Sequence, residues 1–130
     1  MKSPPHILIV EDNPNLCDML HRRLKRRGFQ ASCANDGQSA LDLAISSKPD
    51  LILLDMSLPV MDGWTVATAL RKTLATSDIP IIAITAHAMR GDRKRALAAG
   101  CHDFQTKPID FEELLVKISR LLSDTDELRQ

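Results

Sequence analysis

The chain has 130 residues, 44% apolar and 26% charged, which suits one globular domain around a single core. Its 17 Lys and Arg balance 17 Asp and Glu, so no whole-chain field draws it to nucleic acid or anionic lipid. No apolar run approaches the roughly 18 residues that a membrane span needs, and the opening "MKSPPH" lacks the apolar stretch of a secretion signal, so the chain is expected in the cytoplasm, off the membrane.

Short apolar runs and helical patterns then alternate. "HILIV" (6–10) is the first expected strand. Asn13 and Pro14 read as an N-cap and a first-turn proline, Leu16, Leu20 and Leu24 share a helix face, and Gly28 can end that helix. "FQASCA" (29–34) is the second strand, and Asp36 caps a helix carrying Ala40, Leu41, Ala44 and Ile45 inward. "LILLD" (51–55) is the third, and Asp62 caps a helix with Val66, Ala67, Leu70 and Leu74. "IPIIAIT" (79–85) is the fourth, followed by a weaker, alanine-rich helix around 88–99. "HDFQTK" (102–107) is the fifth. Asp110 starts the last helix with Glu113 as a capping-box partner, and Leu114, Leu115, Ile118, Leu121 and Leu122 line its inner side. The domain is expected over 5–123, with loose termini at 1–4 and 124–130.

Strands one, three and four are near-continuous Val, Ile and Leu, the pattern of strands covered on both faces. Parallel strands need crossover helices, so the expectation is (βα)₅: an α/β fold with a five-stranded parallel sheet and helices on both sides. Cys17, Cys33 and Cys101 form no CxxC pair, and an odd count cannot close a disulfide framework. They are expected as three reduced, partly buried thiols, and with four scattered histidines they show no zinc-ligand spacing.

The polar residues that end these strands carry the chemistry. Glu11 and Asp12 follow strand one, Asp55 ends strand three, Thr85 ends strand four, and Lys107 ends strand five. A lone strand-end Asp is usually a helix cap, an acidic pair is usually surface, and a Lys-Pro is usually an ordinary turn. Their agreement at four strand ends of five outweighs those readings. If strand one lies between strands two and three, three carboxylates converge where ligands bind in such sheets. Mutual repulsion demands a counter-charge, and hard oxygen ligands suit Mg²⁺. A Mg²⁺, a lysine and a hydroxyl around one carboxylate describe a site for a phosphoryl group.

With "LIVED", "LILLDMSLPVMDG", "IIAITA" and "TKPI" in hand, the sequence resembles the receiver domain of two-component response regulators, stand-alone or hybrid-kinase type, over about residues 5 to 122. The resemblance implies a flavodoxin-like sheet in strand order 2-1-3-4-5. It implies Asp55 as phosphoacceptor, taking a phosphoryl group from the phosphohistidine of a sensor histidine kinase or a histidine phosphotransfer protein, as in a phosphorelay. Asp12 and Asp55 would bind Mg²⁺ (with Mn²⁺ as a substitute), Ser57 through its backbone carbonyl and Glu11 partly through water. Thr85 would hydrogen-bond the phosphoryl group and Lys107 would ion-pair with it. Phe104 holds the aromatic switch position, where many receivers carry Tyr, and the Lys107–Pro108 bond is cis in similar proteins. Such a protein is not a turnover enzyme, although it catalyses its own aspartyl phosphorylation and dephosphorylation. Its state would pass to a protein target on the face of helix four, strand five and helix five. Ala86 leaves the site open, and Gly63 is expected to take a backbone shape barred to other residues.

Other readings fit less well. A flavodoxin-type FMN protein needs hydroxyls and amides after strand one, where "EDNPN" sets two carboxylates, and aromatics are only 3%. A phosphatase with an Asp nucleophile needs a second Asp two residues on, where this chain has Ser57. The basic "HRRLKRRG" (21–28) flanks the core residue Leu24 and reads as a solvated face, so no direct nucleic-acid contact is expected. The chain ends after helix five without room for an output domain, so it is expected to be either a free-standing regulator or a piece of a larger protein.

Overall fold

The computed structural model describes residues 4–86 and 92–129. Strand and helix alternate along it: β1 (His6–Val10), α1 (Pro14–Arg26), β2 (Gln30–Ala34), α2 (Gly37–Ser47), β3 (Leu51–Asp55), α3 (Gly63–Lys72), β4 (Ile81–Thr85), α4 (Asp92–Ala98), β5 (Asp103–Thr106) and α5 (Phe111–Arg129). The strands form one parallel sheet in the order β2-β1-β3-β4-β5, which is the expected topology.

Side chains alternate across a strand, so each apolar run feeds two cores. Leu8, Val10, Ile52, Leu54, Ile81 and Ala83 meet α2, α3 and α4, whereas Ile7, Ile9, Leu51, Leu53, Ile82 and Ile84 meet α1 and α5. Every residue of β3 and β4 is buried, as two-sided cover requires, and the edge strand β2 is only partly so. The helix starts fall where the capping residues put them. Asn13 Oδ1 accepts from the amides of Asn15 and Leu16, Asp36 from Ser39 at 2.7 Å, Asp62 from Thr65 at 2.9 Å and Asp110 from Glu113 at 3.1 Å. The Ser39 amide also holds the Asp36 carboxyl below its usual range.

Several expectations need correction. Ile45 and Leu74 do not face the core: Leu74 is 93% exposed because α3 ends at Lys72 and Thr73 turns extended. The turn is fixed by the Thr76 hydroxyl, which donates to Leu70 O at 2.7 Å. The first turn expected for the fourth helix, 88–91, lies outside the described residues. α5 runs on through Arg129, so 124–129 are helical; no Gly or Pro after Leu122 signals a stop. Glu113's carboxylate is turned to Lys117 Nζ at 3.3 Å, so its reach back to the cap is replaced by an i,i+4 pair. Cys17 and Cys33 are joined as a disulfide with Cα atoms 6.4 Å apart, within the usual span, which corrects the expectation of three reduced thiols. The crossover lays the inner face of α1 on β2, a proximity that a sixteen-residue separation does not display. Cys101 alone is free; burial pushes its thiol up to about 11.

One polar knot ties α3 to β4 and the α4–β5 connection. Arg71 donates from Nε to Gly100 O at 2.8 Å, from Nη2 to Ile79 O at 2.5 Å and from Nη1 to Ser77 O. Its Nη2 also lies 3.2 Å from His102 Nδ1, which accepts from the Ile81 amide at 3.2 Å as well. Two donors on Nδ1 require a neutral imidazole with its proton on Nε2. Burial, and then the Arg71 charge, lower the His102 pKa from its ordinary 6.5. A depressed histidine stabilises the fold above its unfolded pKa, and that stability is lost as pH falls through the folded one. Urea unfolding should therefore show stability falling below about pH 6.5. His102→Asn, which keeps an acceptor but cannot be protonated, should lose that part of the pH dependence. An unchanged profile in the variant would show that His102 is not the group responsible.

Candidate functional site

The site lies beyond the carboxyl ends of the strands. β1 ends at Val10, and the Glu11 amide still follows the ladder, donating to Ala34 O at 3.0 Å. This places the Glu11 side chain inside the protein, with Asp12 exposed beside it. Asp55 is the last residue of β3 and only 3% exposed. Thr85 ends β4, buried, and its carbonyl accepts from the Lys107 amide at 2.8 Å, which brings the residue after β5 back toward β3. The Lys107–Pro108 bond is cis, as the resemblance implied.

Lys107 Nζ donates to Glu11 Oε1 at 2.9 Å and to Asp55 Oδ2 at 3.4 Å. The other carboxylate oxygens hold backbone amides: Glu11 Oε2 accepts from Asn13 at 3.0 Å and Asp55 Oδ1 from Ser57 at 2.9 Å. One carboxylate oxygen each of Glu11, Asp12 and Asp55 lies within 4.8 Å of the others. Burial raises the Glu11 pKa, the Asn13 amide and Lys107 oppose that, and Asp55 adds to it. Burial alone would lower the Lys107 pKa, but its bonds to Glu11 and Asp55 outweigh burial and raise it. Three hard oxygen donors against one lysine form an electron-rich pocket whose chemistry fits a small divalent cation.

The structure brings six of the seven candidate residues to this edge, namely Glu11, Asp12, Asp55, Ser57, Thr85 and Lys107. Phe104 is not among them. It sits in β5 opposite Ala83, half-buried against the α2–α4 side of the core. Three features in and around the site were not expected from the sequence. Asn13 serves both as helix cap and as an amide donor to Glu11. Lys117 anchors β5 to α5, donating to Phe104 O at 2.6 Å and Gln105 Oε1 at 2.9 Å; a single lysine in a helical run carries no sequence signal for that. Val60, in the loop after Asp55, is fully exposed at φ 66, a left-handed conformation uncommon for a β-branched residue.

The role expected of Gly63 is corrected too. Its φ is not the cause, since among the described residues the positive-φ glycines are Gly28 and Gly100. The reason is close approach: a Cβ there would lie 2.5 Å from Met56 Cα and 2.6 Å from Asp55 O.

Residues 7–119 match the family described as the response regulator receiver domain. The chain belongs to that family. It is 39% identical over 126 residues to the DNA-binding dual master transcriptional regulator RpaA of Synechocystis, covering 97% of this chain and 52% of the relative. It is 41% identical over 127 residues to the response regulator PleD of Caulobacter vibrioides, covering 95% of this chain and 28% of that one. The chain thus spans about half or less of the length of these relatives. Among solved structures, it superposes with a TM-score of 0.85 and 35% identity on the receiver domain of the sensor histidine kinase PA1611 from Pseudomonas aeruginosa, over 92% of this chain and 98% of that one. That structure has a magnesium ion coordinated in its active-site cleft. The receiver family is that of phosphorylation-activated two-component response regulators, and the chain is a receiver domain of this kind.

The Gly63 contact is with backbone, which cannot swing aside. Gly63→Ala should destabilise the domain by about 1–3 kcal/mol through overpacking, read by urea unfolding. A neutral substitution would show that the loop after Asp55 shifts freely.

Proposed function

We propose that Asp55 is the residue that accepts the phosphoryl group, within a receiver unit spanning 5–123. The observation that carries this reading is the pair of salt bridges from Lys107 to Glu11 and Asp55, which sets a fixed positive charge against an aspartate at a strand end. The donor is a phosphohistidine on a sensor histidine kinase or a phosphotransfer domain. An Asp55 carboxylate oxygen forms the new bond to phosphorus as the phosphorus–nitrogen bond breaks and its electron pair stays on the departing imidazole. Lys107 is already in place to meet the negative charge that develops on the phosphoryl oxygens, and the Ser57 amide meets the other side of the carboxylate.

The Asp12 and Asp55 carboxylates, with the Ser57 carbonyl and Glu11 through water, fit Mg²⁺ or Mn²⁺ in its place. Such a cation, when bound, offsets charge on the carboxylates and on the phosphoryl oxygens. Asp12 is the exposed member, at the mouth of the site, while Glu11 holds Lys107 from within. The domain is its own catalyst for gaining and losing the phosphoryl group and turns over no separate substrate.

Signalling then needs a second state. Phosphorylation biases an existing equilibrium between two arrangements. Thr85, next to the site, and Phe104, half-buried one strand away, are the residues that carry it toward α4, β5 and α5. The output is a contact with a protein target on that face, and the setting is the cytoplasm. No described helix is long and apolar enough to cross a membrane.

Acetyl phosphate with Mg²⁺ should add one phosphoryl mass to the protein, and Asp55→Asn should abolish it. Undiminished labelling of that variant would overturn the assignment. Thr85→Ala should still be labelled, because nucleophile and carboxylates remain, but its amide spectrum should change far less on phosphorylation than that of the unsubstituted protein. An equally large change would remove Thr85 from the relay.

A further inference from the structure

The Cys17–Cys33 pair stands directly behind the acidic loop. Cys17 lies in the first turns of α1, buried, and its amide donates to Asn13 O at 3.0 Å. Cys33 is partly exposed near the end of β2, next to Ala34, whose carbonyl accepts from the Glu11 amide at 3.0 Å. Asn13 in turn donates its amide to Glu11 Oε2 at 3.0 Å. These links close a ring: Glu11 to Ala34, Ala34 to its neighbour Cys33, Cys33 to Cys17, Cys17 to Asn13, and Asn13 back to Glu11. Asp12 is the one residue between the two ends of the loop that this ring encloses. Every link except the disulfide is a main-chain bond or a hydrogen bond, so the disulfide alone can be made and broken by chemistry from outside.

We propose that Cys17 and Cys33 form a reversible oxidation site whose state sets the affinity of the Glu11–Asp12–Asp55 cluster for a divalent cation. The Cα separation of 6.4 Å lets the bond form without moving α1 from β2. The oxidant is a peroxide. Cys33, the less buried partner, attacks one peroxide oxygen as its thiolate; the oxygen–oxygen bond breaks, hydroxide leaves, and a sulfenic acid remains on Cys33. The Cys17 thiolate then attacks the Cys33 sulfur, the sulfur–oxygen bond breaks, and a second hydroxide leaves. Two thiols have lost two electrons to one peroxide, and with the two released protons the hydroxides become two waters. A dithiol reductant reverses the step by thiol–disulfide exchange.

The bond acts on the cation through entropy. With the disulfide closed, the loop from Glu11 to Asn13 hangs from a covalent brace on both sides, so fewer loop conformations are lost when the carboxylates converge on an ion. With the thiols reduced, the same hydrogen bonds hold the loop without that brace. Cys101 takes no part, being buried on the other side of the sheet among the α2–α4 core residues.

This inference rests on the metal reading of the acidic cluster, and the test separates the two. The intact protein is prepared reduced and after hydrogen peroxide, then alkylated in denaturant. Reduced protein should take up three alkyl groups and oxidised protein one, at Cys101. Mg²⁺ titration by calorimetry should show tighter binding to the oxidised form, on the order of fivefold. Amide exchange at Glu11, Asp12 and Asn13 should be slower in the oxidised form with no Mg²⁺ present. Cys33→Ser should bind Mg²⁺ equally with and without peroxide. Three alkyl groups after peroxide, or equal or weaker Mg²⁺ binding by the oxidised form, would overturn the proposal. If neither form binds Mg²⁺, the metal reading fails; the exchange measurement then decides whether the disulfide braces the loop, and equal exchange in the two forms would overturn that as well.

Discussion

Lys107 is the charge on which the rest of the site depends. Glu11 and Asp55 are buried carboxylates on neighbouring strands, and Asp12 adds a third charge at the surface. Two buried anions without a cation would be strongly disfavoured, and Coulomb attraction to one lysine offsets only part of their desolvation. Burial, with the nearby Asp55 adding to it, raises the Glu11 pKa against its bonds to the Asn13 amide and Lys107. The arrangement is a pocket with negative charge to spare, suited to a ligand that brings positive charge.

The fold delivers these groups through register. β1 and β3 pair with Val10 beside Leu54, so the residues that follow, Glu11 and Asp55, emerge side by side. β4 and β5 pair Thr85 with Thr106, which puts Lys107 one step beyond the strand ends and in reach of both carboxylates. A one-residue slip in either pairing would turn a carboxylate or the lysine to the wrong face. The apolar runs of β1, β3 and β4, buried on both sides, hold those registers, so the core is also what fixes the electrostatics. Gly63 adds a local constraint by letting α3 start against the backbone of Asp55 and Met56.

Much of this was legible from the residues because strand-end positions are read off hydrophobic runs. "LILLD" announces both a buried strand and the charge at its end, and the four cap residues mark helix starts by side-chain chemistry alone. What was not legible depends on contacts distant in sequence. The Cys17–Cys33 bond, the fan of Arg71 bonds and the grip of Lys117 on β5 all join elements whose proximity follows from packing and leaves no periodic trace. Leu74 misled for the opposite reason. It continues the helical spacing of Leu70, but Thr73 has already left the helix. Gly63 was read as a conformational necessity when the constraint is space.

The central claim is that the acidic cluster at the strand ends carries uncompensated negative charge that a divalent cation relieves, with Asp12 as one of its ligands. Urea unfolding of the unsubstituted protein and of Asp12→Ala, each in EDTA and in millimolar Mg²⁺, tests it most directly. The unsubstituted protein should gain stability with Mg²⁺ as RT ln(1 + [L]/Kd), about 2.7 kcal/mol at a hundredfold excess over Kd, while the variant gains only a small part of that. Equal gains in the two proteins, or no gain in the unsubstituted one, would contradict the account.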